Sequence, residues 1–445
     1  MRNRVAVFSR RTFSALKKRN FRLYFIGQSF SLAGTWMQAV AQSWLMLHLT
    51  GSGTALGIIA ALQYGPTLFL GPYAGLLADR LPKRRILFVT QGLSGLVALA
   101  LGVAVARDAA TPGFVYALAG ALGLVTAVDF PTRQSFLYEL AGRRELLSAV
   151  GLSGMAANVM RVIGPAVAGV LIAAADMATC FFVNAATAVV VLVTLVLIRP
   201  SDLIRTAQTE SSGGLKEGFS YSMRTPHVRE SLLMMAIVGL LTYEFGVTLP
   251  LLAKYTLGHG ADGLAWLMSA MGVGATIGGL ITAGRHGEGL KRLVYVAAGV
   301  AVSLALVAVS PTLSIACLMM GLTGLFLGRF TGISNSIVQL MSDPAMRTRA
   351  VALWSTAFVG STFIGAPLIG WVGEAAGARW ALGVGALGAL ASAGIGWLGL
   401  RRQKVAEAGT PAEPGGTPHA EATPAPGQPP LSPSQPRSGR AGSAA

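Results

Sequence analysis

The sequence is short of charge. Asp, Glu, Lys and Arg make up 12% of its 445 residues, against about 25% in a soluble globular domain. No long polar stretch is left to fold as a soluble enzyme. Cysteine is nearly missing: Cys180 and Cys317 sit in apolar runs, with no CxxC and no metal-ligand spacing, and read as small core residues. The five histidines (His48, His227, His259, His286 and His419) are scattered over helix ends, loops and tail. They form no catalytic constellation, which makes a membrane-bound lipid-modifying enzyme a distant reading. The absence of a Gly-Lys-Ser/Thr phosphate loop argues against direct ATP coupling. The absence of a filter-like segment argues against a channel. No cofactor and no metal are implied.

What the sequence has is apolar. Hydrophobic residues make up 53%, glycine contributes 56 residues, and the mean hydropathy is +0.60. The runs are long and lack the alternation of an outer-membrane barrel. The expected fold class is therefore an all-α membrane protein. A spanning helix takes roughly 20 mostly apolar residues. That ruler finds twelve runs: 23–47, 54–77, 86–106, 113–132, 147–173, 178–198, 230–252, 263–284, 293–309, 312–338, 350–373 and 380–400. Two six-helix bundles follow (23–198 and 230–400), joined by a central loop (199–229). Within that loop, residues 214–221 are amphipathic and predict a short helix on the membrane surface. The basic arm 1–22 precedes a first run long enough to span, so it reads as an uncleaved first helix. The tail 401–445 holds 9 of the 21 prolines and no aromatic residue, which predicts disorder.

The net charge of +17 in a soluble protein would suggest nucleic acid. Placed on the twelve-run plan with the N-terminus in the cytoplasm, 30 of the 35 Lys and Arg fall on the cytoplasmic side. Arg107, Lys254 and Arg379 fall on the other side, and Arg161 and Arg329 inside spans. The charge thus encodes orientation. It predicts a plasma-membrane protein with both termini in the cytoplasm and no nucleic-acid partner, and the excess of Arg over Lys, 28 to 7, fits a bacterial source. A shift of 201 residues lays Ile163–Gly169 of the fifth run on Ile364–Gly370 of the eleventh with coincident glycines, a sign of two related halves.

After the second run comes Gly75-Leu76-Leu77-Ala78-Asp79-Arg80-Leu81-Pro82-Lys83-Arg84-Arg85. It resembles the loop signature G-x-L-a-D-R-x-G-R-K/R-R of the major facilitator superfamily, with Pro82 in place of the usual glycine. The resemblance implies a cytoplasmic gate built on Gly75, Asp79, Arg80, Arg84 and Arg85, with Arg347 or Arg349 as partners and Asp129 with Arg133 nearby. Gly164-Pro165-Ala166-Val167-Ala168-Gly169 is similar to the G-P-x-x-G kink motif of exporter branches. Phe21-Arg22-Leu23-Tyr24, Gly34-Thr35-Trp36-Met37-Gln38, Asp129-Phe130-Pro131-Thr132-Arg133-Gln134 and Thr242-Tyr243-Glu244-Phe245 carry the likeness further. Over residues 20–400 the sequence resembles the branch that contains the bacterial enterobactin exporter and related efflux proteins. The fourth run lacks the mid-helix arginine of drug exporters of this superfamily.

These likenesses imply a secondary transporter of small molecules, coupled to protons, that works by alternating access and needs no partner chain. An exporter of a siderophore, drug or secondary metabolite is the leading reading, and an uptake or facilitative carrier the alternative. Charges inside a bilayer are costly and usually functional. Glu244, mid-way along the seventh run, must be protonated or paired. Arg161, with Asn158 one turn before it, either holds an anionic substrate group or pairs with an acid. Arg329 in the tenth run is similar. Gln28, Thr35, Gln38 and Gln42 recur on one helix face, and Trp36, Trp44 and Tyr243 offer stacking surfaces. The expected substrate path comprises Gln38, Gln42, Asn158, Arg161, Tyr243 and Arg329, with Glu244 as the proton site.

Overall fold

A computed structural model describes residues 13–204, 215–284, 289–344 and 346–409. Side chains are described for all of these except 72, 74–80, 215–216, 348 and 404–409. Residues 13–401 belong to one compact unit, and 402–445 fall in a second. No strand occurs among the described residues. The chain runs through α1 (Arg19–Thr50), α2 (Gly53–Arg80), α3 (Lys83–Ala106), α4 (Pro112–Ala174), α5 (Met177–Leu197), α6 (Leu215–Arg224), α7 (Pro226–Ile237) and α8 (Phe245–Leu251). It continues through α9 (Ala261–Ala283), α10 (Leu290–Ala308), α11 (Leu313–Met341), α12 (Arg347–Val359), α13 (Thr362–Ala375) and α14 (Ala378–Gly409).

Among the described residues, ten helices are long and apolar enough to cross a membrane. α1 is not one of them, because its glutamines and hydroxyl residues keep its hydropathy low. α4 counts once, yet its 63 residues would reach ~95 Å if straight, about three times a bilayer core. It turns at Gly142, whose φ of 68° and ψ of 171° only glycine adopts without strain. The loop expected between the fourth and fifth runs is thus helical up to that residue. Phe136, Leu137 and Leu140 bury there against Tyr24, Leu87 and Leu195, and this packing prolongs the helix past Pro131. The surface helix expected at 214–221 is α6. The last helix continues to Gly409, nine residues beyond its expected end, because Arg401-Arg402-Gln403-Lys404 are good helix formers. The expected disordered tail is therefore helical at 401–409, and the remainder lies outside the described residues, as does most of the basic arm.

Large apolar side chains point outward, among them Val170, Leu280, Leu318 and Leu387, as a lipid-facing surface requires. The two halves meet along two helix pairs: α2 on α13, and residues 143–174 of α4 on α9.

Candidate substrate path and coupling site

The expected seventh span is not one helix. α7 loosens into a π-helical turn at Val238–Thr242, the chain breaks at Tyr243 and Glu244, and α8 resumes at Phe245 before a second π turn at Leu252–Thr256. Glu244 has φ −85° and ψ 46°, and its carbonyl accepts from the amides of Val247 (3.1 Å) and Thr248 (3.0 Å). The eleventh span is broken too, at Gly360–Ser361 between α12 and α13. The breaks meet: Gly239 packs against the carbonyls of Ala357 and Phe358. Interrupted membrane helices facing each other are where transporters place binding and coupling groups.

Glu244 sits at this junction, 4% exposed. Thr362 lies beside its carboxylate, and the buried Oε1 has no hydrogen-bond partner. Gly365 lies opposite, where an added Cβ would stand 3.1 Å from Oε1. Among the described residues no Lys or Arg lies within ion-pair distance of it. Across the half interface, Arg161 lays its guanidinium over the Trp36 ring, 5.0 Å from the centroid. Its terminal nitrogen donates to the Tyr243 hydroxyl at 3.3 Å. Tyr243 packs edge-on against Phe245 and Phe358, and Phe358 against Trp354. Tyr64 lies within electrostatic reach of Glu244, Arg161 and Tyr243.

A cavity of about 530 Å³ opens in the first half. Gln28, Thr35, Gln38 and Gln42 all line it, with Trp36 and Tyr64. Two of the glutamines also tie helices together. Gln38 accepts from the Asn184 amide at 2.6 Å, and Gln42 from the Gln63 amide at 3.1 Å. At its base Asp129, 6% exposed, accepts from Thr90 (2.6 Å), Gln91 (3.0 Å) and the Arg133 guanidinium. Gln63, Thr90, Gln91 and Asn184 went unnoticed in the sequence. Each is a polar residue in an apolar run, but which way it faces is not visible there. Asn158 is half-buried one turn before Arg161, and Arg329 is half-buried on α11 beside Gly278.

The repeat in sequence is a repeat in packing. Gly164 presses on α1, where a Cβ would meet that of Trp36 at 2.5 Å; its counterpart Gly365 presses on Leu240 and Glu244. Gly169 meets Ala265 of α9, and its counterpart Gly370 meets Gly53 of α2. Arg161 and Thr362 are related by the same shift of 201, so one half places a cation beside the interface and the other a hydroxyl residue beside an acid. Pro165 and Pro367 both stand inside helices.

One end of the half interface is latched. Glu374, closing α13, accepts from the Ser52 hydroxyl and from the Thr54 amide (3.0 Å) at the start of α2, where the helix dipole favours an anion. The Lys254 ammonium donates to the Leu47 carbonyl, and the Tyr255 hydroxyl to that of Gly51. At the opposite end, the polar contacts among the described residues stay within one half. Lys83 pairs with Glu139 (2.9 Å), and Arg84 donates to the last carbonyls of α5. Arg349 pairs with Glu217 of α6 (2.7 Å), and the Tyr221 hydroxyl accepts from the Asp343 amide. Arg85 and Arg347 are exposed. Gly75, Asp79 and Arg80 lie on the backbone of α2, with side chains outside the described residues. Replacing the exposed Glu374 by Ala is expected to shift the latched population by less than about tenfold, the scale of a surface pair. Spin labels at Arg107 and Arg379, exposed on this face in opposite halves, read the shift as a longer distance component.

A family profile described as "Transmembrane secretion effector" matches residues 10–419. The staphyloferrin A transporter of Staphylococcus aureus is 34% identical over 164 residues, which are 36% of this chain and 41% of that protein. The match thus spans less than half of that relative. The multidrug efflux pump Tap of Mycolicibacterium fortuitum is 25% identical over 78% of this chain and 87% of its own. The enterobactin exporter EntS of Escherichia coli is 23% identical over 79% and 85%. In structure, a bacterial homologue of the human lysosomal transporter Spinster, inward-facing and unoccupied, superposes with a TM-score of 0.69 at 14% identity, covering 86% of this chain and 96% of that one. The nucleoside transporter NupG gives 0.68 at 11%, covering 86% and 99%. These relatives are transporters rather than enzymes. The chain is a major facilitator superfamily transporter of the efflux branch and belongs to the transmembrane secretion effector family.

Proposed function

We propose that this protein is a proton-coupled exporter of small molecules that works by alternating access, with Glu244 as the proton site. The observation that carries the reading is Glu244 itself, a buried carboxyl with no counter-ion among the described residues, where two broken helices meet. Of the two ways to keep such a group in a membrane, pairing or proton exchange, the described residues offer no pair. Moving a proton on and off Glu244 changes its charge beside the α7–α8 and α12–α13 breaks, and so biases how the halves meet. The relatives named for siderophore and drug export support the class of cargo.

The chain is read as twelve spans in two bundles, 23–198 and 230–400, with the helix of α4 counted twice at Gly142. The basic arm, the central loop 199–229 and the residues from 401 face the cytoplasm of a bacterial plasma membrane, and a monomer suffices. In that orientation the Glu374 latch closes the external face, and the cavity in the first half is reached from within. Asp79, in the basic loop after α2, is assigned to the cytoplasmic gate. Asp79→Asn is expected to slow transport at least tenfold with normal membrane insertion, and an unchanged rate removes the gating role. The decisive assay follows proton flux in everted vesicles challenged with siderophores, dyes and antibiotics. Substrate-driven proton release supports export by exchange, and its absence across the panel with substrate moving only down its own gradient favours a facilitative carrier.

A further inference from the structure

Arg161 is the cation that the proton mechanism leaves unused. Sequence left it two roles, holding an anion or pairing with an acid. The structure removes the second among the described residues: no carboxylate lies within ion-pair distance of it. A guanidinium carries five N–H donors. One is spent on the Tyr243 hydroxyl, and the buried Nε donates to nothing. Trp36 covers one face of the group, which holds the cation in place without consuming its in-plane donors. The residue is half-buried rather than sealed, and Trp36 and Tyr64 beside it line the cavity.

The adjoining cavity, which Trp36 and Tyr64 line and Arg161 itself does not, suits a negatively charged guest. Its walls are mostly apolar and carry neutral amides and hydroxyls, such as Gln28, Gln63, Ser94 and Thr126. The acid that lines it, Asp129, is discharged by Arg133 and by two further hydrogen bonds. No uncompensated carboxylate on that wall repels an anion. The Trp36 ring under the guanidinium and Tyr243, packed edge-on against Phe358, put aromatic surface next to the cation.

We propose that Arg161, seated on Trp36 and Tyr243, is an anion subsite, and that the molecules exported carry a carboxylate, phosphate or similar organic anion on an aromatic or otherwise apolar body. The forked guanidinium binds the anion through paired N–H donors. Bound there, the anion sits beside the Arg161–Tyr243 contact, and Tyr243 is one residue along the chain from Glu244, so cargo and proton act on the same helix break. This inference rests on the exporter reading and names its cargo.

The test measures binding rather than transport. Purified protein in lipid nanodiscs is titrated with 2-naphthoate, 2-naphthyl phosphate and uncharged 2-naphthamide, which share one ring system. Wild type is expected to bind at least one anion tenfold or more tighter than the amide, and whichever anion wins identifies the headgroup. Arg161→Gln should erase that preference. Arg161→Lys, which keeps the charge but not the fork, should retain a preference reduced severalfold and guards against a folding defect in the first variant. Equal binding of all three compounds by wild type, no binding of any, or an intact preference in Arg161→Gln overturns the proposal. If proton-driven export persists while the preference is absent, only the subsite falls. If the preference is present without proton-driven export, only the exporter reading falls.

Discussion

Glu244→Gln is expected to abolish uphill export while leaving downhill movement of substrate intact. The substitution keeps the volume and the acceptor that faces Thr362, so the junction of the two broken helices survives. It removes the one thing a proton couples to. For one proton per substrate, a gradient of two pH units supports roughly 100-fold accumulation, since each unit is worth about 1.4 kcal/mol. In everted vesicles the variant should fall to a ratio near one, with membrane insertion unchanged. Accumulation against a gradient in that variant would take the proton site away from Glu244.

Gly57→Ala is expected to jam the face that Glu374 latches. Gly57 lies where α2 crosses α13, and an added Cβ would stand 2.6 Å from the Cα of Pro367 and against the Ala366 carbonyl. Neighbouring Gly53 would meet the Gly370 carbonyl at 2.5 Å. Backbone atoms on both sides cannot turn away as a side chain can, so the helices must part. Overpacking of this kind costs about 1–3 kcal/mol, which moves a two-state equilibrium roughly 5- to 150-fold away from closure. The expected result is a loss of transport of that order, with the Arg107–Arg379 label pair held at its longer distance. The effect exceeds that of Glu374→Ala because it acts on the helix contact itself rather than on one exposed hydrogen-bonded carboxylate. A variant that closes and transports normally would show that this crossing does not limit the cycle.

Much of the membrane architecture could be read in one dimension, and the reasons are physical. Hydrophobic length must match a bilayer, and every backbone polar group must be satisfied there, so long apolar runs can only be helices. The runs near α2, α3, α5, α9 and α10 end within a few residues of their expected limits because Gly, Pro and charge punctuate them. Where local signals were weak, tertiary packing prevailed. Phe136, Leu137 and Leu140 drew residues 133–141 into a helix that the arginines around them made look like a loop. The seventh run, 230–252, reads in sequence as one continuous span, and only contact with α12 and α13 shows where it breaks.

The candidate site divides the same way. Rarity alone singled out Glu244 and Arg161, since few charges survive inside spans. Glu374 drew no notice, because an acid at a helix end has an ordinary solvated explanation; its partners Ser52 and Thr54 lie more than 300 residues away in the chain. The sequence by itself determined the membrane class, the run lengths, the charge asymmetry and the internal repeat. Each depends on composition within a window or on counting along the chain. The tertiary structure alone decided that, among the described residues, Arg161 has no acid for a partner and Glu244 no base, and which glycines bring the halves together. Those facts depend on side-chain facing and on contacts between segments far apart in the chain, and neither is encoded in any local window.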